Sequence, residues 1–283
     1  AALRTGLPLW STEDYATYSD PSGGGCWARR LVQNANFGFS ATISYYLIGA
    51  FARGVRYDAS AFLRAEWPST GHWESTPMLD VTMMWTRFTK PGWSVYRCPT
   101  AGEAQTSGGV PECALRGGGN YAMLASESAE NITIIVETLE LSNSRCRLGP
   151  DPSSYTIAAA QNVTLILPHN HRAADGGGRQ KLDVWRSCIG WLYPAAGDAY
   201  MNRLDPVAVG ADGAISFTAE RDCTYTLTTV SGVRNLPRKV PTIAPAVAFP
   251  LPFNEDFDGV TSGGEAPFFG DMMGKWETVS AAG

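Results

Sequence analysis

The spacing of apolar positions changes near residue 91, and the change divides the chain. In the first part, "TGLPLW" is a short apolar run that reads as a buried strand. "NANFGFSATISYYLIGAFARG" then carries Phe39, Ile43, Tyr46, Leu47 and Ala50 at helical spacing, with Ser40 or Asn36 placed to cap the helix. A strand, a long loop and a helix are the repeating unit of an α/β barrel, and "AFLRAEWPSTGHWE" supplies the next strand with its loop. Beyond "TKPGW" the helical period disappears. Short β-type runs follow, separated by Gly, Asn and Asp: "WSVYR", "NYAMLAS", "NITIIVETLEL", "QNVTLILP", "LDVWRS", "AISFTAE" and "CTYTLTTV", with "GADG" at Gly210–Gly213 as a hairpin turn. Seven short strands at such intervals predict a β-sandwich. "LPRKVPTIAPAVAFPLPF" reads as a linker, because repeated prolines suit neither a helix nor a central strand, and "NEDFDG" opens a further unit.

Composition narrows the class. The 283 residues carry a formal net charge of -5, only 17% are charged, and no basic stripe exists to hold phosphates, so nucleic acid is not a partner. Aromatic residues make up 11%, nine of them Trp, which is ample material for cores and for faces that stack on sugars. No apolar run reaches the roughly eighteen residues a spanning helix needs. "AALRTGLPLW" lacks the order of a signal peptide, and with the abrupt end at "SAAG" the chain reads as a piece of something longer. Six cysteines show neither a CxxC nor a Cys/His metal spacing, which points to disulfides and an oxidising compartment. The sequons "NIT" at Asn131 and "NVT" at Asn162 agree with a secretory route. Gly triplets at Gly23, Gly117 and Gly176 are not phosphate loops; the latter two read as turns. His169 and His171 read as a surface feature, and no metal site is expected.

The candidate chemistry lies in "LPLWSTEDYAT". In a barrel, side chains at the C-terminal ends of strands face the mouth, so Glu13 is placed to react and Asp14 to orient it or order the loop. Taken alone, "WSTED" is also what a solvated loop or a helix N-cap contains.

The longer stretch "LPLWSTEDYATYSDPSGGGCWARRLVQNANFGF" closely resembles the nucleophile segment of glycoside hydrolase family 59, the galactocerebrosidases. The likeness continues through "RGGGNYAML", "NITIIVETLE" at Asn131–Glu140, "LDVW", "YTLTTVSG" and "FNEDFDG". By that resemblance Glu13 is the nucleophile on the seventh strand of a TIM barrel. Tyr45 stands where the family usually has a tryptophan, Tyr57 matches a tyrosine near the pocket, and Arg147 matches, after a one-residue shift relative to Cys146, a sandwich arginine that reaches the galactose hydroxyls. The same matching pairs Cys26 with Cys146; Cys98 and Cys113 form a clip within the inserted "RCPTAGEAQTSGGVPEC", and Cys188 with Cys223 is the third pair. The acid/base glutamate of the family lies on the fourth strand, upstream of Ala1. Glu66 and Glu74 do not match it, and a chain without it would be inactive alone. "EWPSTGHWESTP" and "TMMWTRF" depart from the family around the pocket rim.

The organisation this implies is the end of a TIM barrel at 1–91, a β-sandwich at 92–240, and at 241–283 a linker with the first strands of a lectin-like jelly roll. The implied activity is retaining hydrolysis of galactosylceramide to galactose and ceramide, without metal or cofactor, in a lysosomal or other extracytoplasmic compartment. A saposin-type activator would present the lipid, and membrane contact would come only through that substrate. Two other readings stay open: a related clan β-glycosidase acting on soluble galactosides, and a non-catalytic sugar-binding module.

Overall fold

The computed structural model describes residues 7–14, 21–44, 46–49, 61–65, 73–96, 113–140, 157, 159–168, 180–189, 201–234, 247–263, 266–269 and 278–279. Strand β1 (Leu9–Asp14) leads to helix α1 (Pro21–Asn36), and β2 (Phe39–Ser44) returns parallel to β1, with Leu9 opposite Phe39 and Asp14 opposite Ser44. This is the strand–helix–strand unit expected, but its helix is elsewhere. The stretch read as helical forms β2 and β3 (Tyr46–Gly49), while the helix is "PSGGGCWARRLVQNAN". The aromatic and β-branched residues of 39–48 suit a strand. Gly38, at φ 81°, takes the left-handed conformation that stops α1. β1 is a strand as expected but not a buried one: Trp10 is 57% exposed, because among the described residues β1 pairs only with β2.

β3 runs parallel to β4 (Ala61–Arg64), and β4 pairs antiparallel with β5 (Glu74–Ser75), which leads into α2 (Pro77–Thr86). Thr76 precedes α2, and its hydroxyl donates to the carbonyls of Ala61 and Phe62, tying the helix start to β4. The two helices pack closely. The first Gly triplet lies in α1, and a Cβ at Gly24 would strike the Cβ of Pro77 at the head of α2. Trp27 stacks edge-on against Phe62 and donates from Nε1 to Thr82 Oγ1 at 2.8 Å, and Cys26, Trp27, Met78 and Val81 form the buried contact.

All seven expected sandwich strands form. They are β6 (Ser94–Tyr96), β7 (Asn120–Ala125), β8 (Ile132–Glu137), β9 (Ala160–Ile166), β10 (Lys181–Cys188), β12 (Ala214–Glu220) and β13 (Cys223–Thr228). An eighth, β11 (Asn202–Ala208), joins them. Its Pro206 reads as a strand breaker, but β11 is the edge of the large sheet, where a missing N–H costs little, and the register slips opposite it between Leu182 and Val184. The large sheet has the order β11-β10-β13-β8-β7-β6, and β9 pairs with β12 as a second, two-stranded sheet. "GADG" does make a turn, Gly213 N donating to Gly210 O at 2.9 Å, but it is not a hairpin: it joins β11 of one sheet to β12 of the other. The turn expected at the second Gly triplet is also present, with Gly118 and Gly119 at φ 87° and 97°. The third triplet, His169 and His171 lie outside the described residues.

Ile132, Ile134 and Val136 of β8 and Cys223, Tyr225 and Leu227 of β13 pack against Val163, Leu165 and Ile215 of the small sheet. The alternate positions are buried too, because the helices cover the other face. Ile135 meets Val32 of α1, the Thr133 hydroxyl donates to Phe88 O at 2.7 Å, and the Thr226 hydroxyl donates to Met84 O at 2.8 Å. Threonines that would face solvent in a free sandwich thus bind carbonyls at the end of α2. Among the described residues beyond 240 there is no strand; the first strands of a further unit were expected there. Turns instead bring Phe249, Phe253, Phe257, Phe268 and Phe269 together, neighbouring ring centroids lying 4.9 to 6.2 Å apart.

Candidate active site

Glu13 is the next-to-last residue of β1, so its backbone stands at the C-terminal end of a strand with a parallel neighbour. That is the rim where α/β barrels carry their chemistry. The pairing is irregular there. Ser11 lies opposite Thr42 and Asp14 opposite Ser44, so three steps along β1 match two along β2. Thr12 and Glu13 occupy the extra step, and such irregularities re-aim side chains at the rims of sheets. The side chains of Glu13 and Asp14 lie outside the described residues, as do Tyr45, Tyr57, Glu66, Cys98, Cys146 and Arg147 and the side chain of Glu74.

Cys26 is buried in the second turn of α1 and Cys113 is buried just before β7. Each is in a disulfide whose partner lies outside the described residues. Cys188 and Cys223 are bonded to each other across β10 and β13, where they are directly opposite. Together with Glu220 they form a group with metal-ligand atoms in reach, but both sulfurs are consumed by the disulfide. Asn162 is exposed on β9, its Oδ1 accepting from Thr218 Oγ1 at 3.0 Å, whereas Asn131 is half-buried before β8. Among the described residues no helix is long and apolar enough to cross a membrane.

A cavity of about 690 Å³ opens between α1, α2 and β2, lined by Trp27, Thr42, Ser44, Phe62, Trp85 and Lys90 among others. Thr42 accepts a hydrogen bond from Asn34 of α1, which places the cavity on the helix side of β2. None of its described lining residues carries a carboxylate.

One group of residues escaped the sequence reading. Arg29 of α1 and Glu137 at the end of β8 are 5% and 0% exposed, and Arg29 Nε lies 3.7 Å from Glu137 Oε1. Asn120 Nδ2 donates to Glu137 Oε1 at 2.6 Å, Leu139 N donates to Oε2 at 3.0 Å, and Arg29 Nη2 donates to the Leu139 carbonyl. Burial pushes the Glu137 carboxyl above its ordinary range; the Arg29 charge and the bonds from Leu139 and Asn120 pull the other way without cancelling it. The signal was present in the sequence: a lone glutamate ends the apolar run "ITIIVE".

The chain is similar to several known proteins. It is 32% identical to the galactocerebrosidase of Salmo salar over 279 residues, covering 98% of this chain and 38% of that protein. The Homo sapiens galactocerebrosidase is 29% identical over 279 residues, 98% of this chain and 37% of its own length. The putative galactocerebrosidase of Caenorhabditis elegans is 26% identical over 161 residues, 56% of this chain and 22% of its own. The chain therefore spans less than two-fifths of the length of these relatives. Among solved structures, a glycoside hydrolase family 30 subfamily 8 xylanase from Clostridium acetobutylicum superposes with a TM-score of 0.48 at 10% identity, covering 80% of this chain and 43% of that one. The GH51 α-L-arabinofuranosidase of Thermotoga petrophila gives 0.45 at 12% identity, covering 81% and 44%. Two family descriptions match, "Glycosyl hydrolase family 59" over residues 1–87 and "Glycosyl hydrolase family 59 central domain" over residues 109–234. With matches on both sides of the change in texture near residue 91, the chain belongs to glycosyl hydrolase family 59.

Proposed function

We propose that this chain carries the nucleophile of a retaining β-galactosidase that hydrolyses galactosylceramide to galactose and ceramide. The observation that carries the reading is the place of Glu13, at the C-terminal end of β1 and at the register irregularity, in a segment matched by the family 59 description. The substrate class follows the relatives, which are named galactocerebrosidases. β1, α1 and β2 belong on this reading to the end of a TIM barrel at 1–91, followed by the sandwich at 92–240 and a linker to a lectin-like unit at 241–283.

In the mechanism, the Glu13 carboxylate attacks the anomeric carbon and displaces the ceramide oxygen, which takes a proton from a second carboxylic acid. The resulting galactosyl ester is then hydrolysed by a water that the same second group, now a carboxylate, deprotonates; the two groups stand about 5 Å apart in such enzymes. Tyr45, Tyr57 and Arg147 are the proposed contacts to the sugar hydroxyls. A lysosomal or other extracytoplasmic setting, a saposin-type activator for the lipid, and glycans on Asn131 and Asn162 complete the proposal.

The test uses the protein expressed from its own start codon in a secretory host. A slow fluorinated galactoside should trap the ester, and peptide mapping should find the sugar on Glu13. A label on Glu66 or Glu74, or galactosylceramide left intact while soluble galactosides are cleaved, would overturn the nucleophile or the substrate respectively.

A further inference from the structure

Glu137 ends β8 at the point where the sandwich meets α1, and the surroundings of its carboxylate do more than neutralise a charge. Through Nη2 the Arg29 guanidinium reaches the carbonyl of Leu139, and through Nε it faces the carboxylate of Glu137. It therefore holds the segment after β8 by one backbone hydrogen bond, at Leu139, and by a charge contact with the Glu137 side chain. The opposite side of that segment is also fastened. Thr138 N donates to Cys223 O at 3.0 Å, Asp222 N to Thr138 O at 2.8 Å, and Glu140 N to Asp222 Oδ1 at 3.0 Å, with Arg221 Nη1 3.6 Å from Glu140. Residues 137–140 are thus bolted to α1 on one side and to the β12–β13 connection on the other.

Both flanks of this clamp lead to residues of the proposed reaction. α1 follows β1 and Glu13 after a short connection, and Arg29 is about one turn beyond the disulfide-bonded Cys26. On the sandwich side the chain leaves the clamp at Glu140 toward Cys146 and Arg147. Mere cohesion does not call for such a pair: apolar residues of similar volume often hold a buried interface as well, and in some proteins a buried polar or charged group instead selects one arrangement.

We propose that Arg29 and Glu137 are positioning residues, which lock the β1–α1 unit to the sandwich and thereby set the placement of the nucleophile strand against the sugar contact proposed at Arg147. This rests on the reading of Glu13 as nucleophile. The sandwich is then part of the catalytic unit, and the reaction depends on the clamp geometry rather than on the stability the interface supplies.

The experiment compares wild type, Arg29→Lys and the apolar double variant Arg29→Met/Glu137→Leu, each expressed from the natural start codon. A lysine keeps a charge for Glu137 but lacks the planar fork that reaches both oxygens. Steady-state kinetics on an aryl galactoside would be normalised to active sites titrated with the slow fluorinated galactoside. Thermal unfolding and amide exchange would be measured on the same samples. The expected result for the double variant is an unfolding midpoint below wild type, because Asn120 Nδ2 and Leu139 N lose their acceptor, with kcat/KM per titrated site, measured well below that midpoint, lower on the order of a hundredfold, the scale of an ångström-level misplacement. Arg29→Lys should show the same sense of change, with faster exchange confined to β1, the start of α1 and residues 137–140. A folded double variant with wild-type kcat/KM per titrated site would overturn the proposal whatever its midpoint, because the pair would then serve cohesion alone. If wild type cleaves no galactoside, the reading of Glu13 has failed separately. Exchange then decides, and unchanged protection of β1 and 137–140 in a folded variant sinks the clamp.

Discussion

Replacing Gly24 with alanine tests the closest approach between the two helices. Inside a helix this change is ordinarily favourable, by up to about 1 kcal/mol, because glycine is the costlier residue there. Here the new methyl would strike the Pro77 side chain and stand 3.2 Å from its carbonyl carbon and 3.3 Å from its Cα. A proline at the head of α2 has no rotamer to yield, so one helix must move and loosen the Cys26, Trp27, Met78 and Val81 contact. Overpacking of that kind costs about 1–3 kcal/mol, the upper end applying where backbone is struck. Subtracting the propensity gain leaves a net loss of about 2 kcal/mol, or a midpoint lower by roughly 4–8 °C for a chain of this size. Thermal unfolding followed by circular dichroism would read it, with Gly259→Ala as the control, since nothing lies within 4 Å of a Cβ at Gly259. A midpoint for Gly24→Ala equal to or above wild type would refute the packing argument, because the sign itself is diagnostic.

In the protein expressed from its start codon, Glu13→Gln should lower kcat on the order of a thousandfold or more, roughly 4 kcal/mol, with an unchanged unfolding midpoint; near-normal turnover would remove the nucleophile. Peptide mapping without reduction should recover Cys26 joined to Cys146 and Cys98 to Cys113 beside the Cys188–Cys223 pair, and Cys26 linked to Cys98 would contradict it. The raised Glu137 carboxyl has a definite linkage sign. A folded pKa above the ordinary 4.5 means that the folded state holds the proton more tightly, so its contribution is fully present below the unfolded pKa and is lost as pH rises through the folded one. Denaturant titrations should therefore show wild type gaining on Glu137→Gln as pH is lowered toward 4.5 and levelling below it, and a gain on raising pH would reject the direction.

The sandwich strands were legible because each is an apolar run bounded by turn residues, from "NITIIVE" to "CTYTLT", and such runs report strands directly. The helices were not. Apolar residues at 39, 43, 46, 47 and 50 fit a helix, but a near-continuous run fits a strand as well, and nothing local separates the two. α1 was hidden by its glycines, whose low propensity is overridden by contact with Pro77, and α2 by an apolar composition on nearly every side, which suits a helix wedged between α1 and the large sheet.

Glu13 could be singled out because a carboxylate after a short strand, in that company of residues, has a chemical use wherever the chain goes next. Its place at a step of irregular register could not, since register belongs to the pairing of β1 with β2. Side-chain alternation in β8 and β13 specified one buried face. The burial of the other, where Thr133 and Thr226 bind the end of α2, depends on helices encoded elsewhere in the chain. Arg29 and Glu137 are the extreme case: each is an ordinary charged residue in its own segment. Packing α1 on the sheet removes both from water at one point, and only there does desolvation make their partnership with Asn120 and Leu139 obligatory.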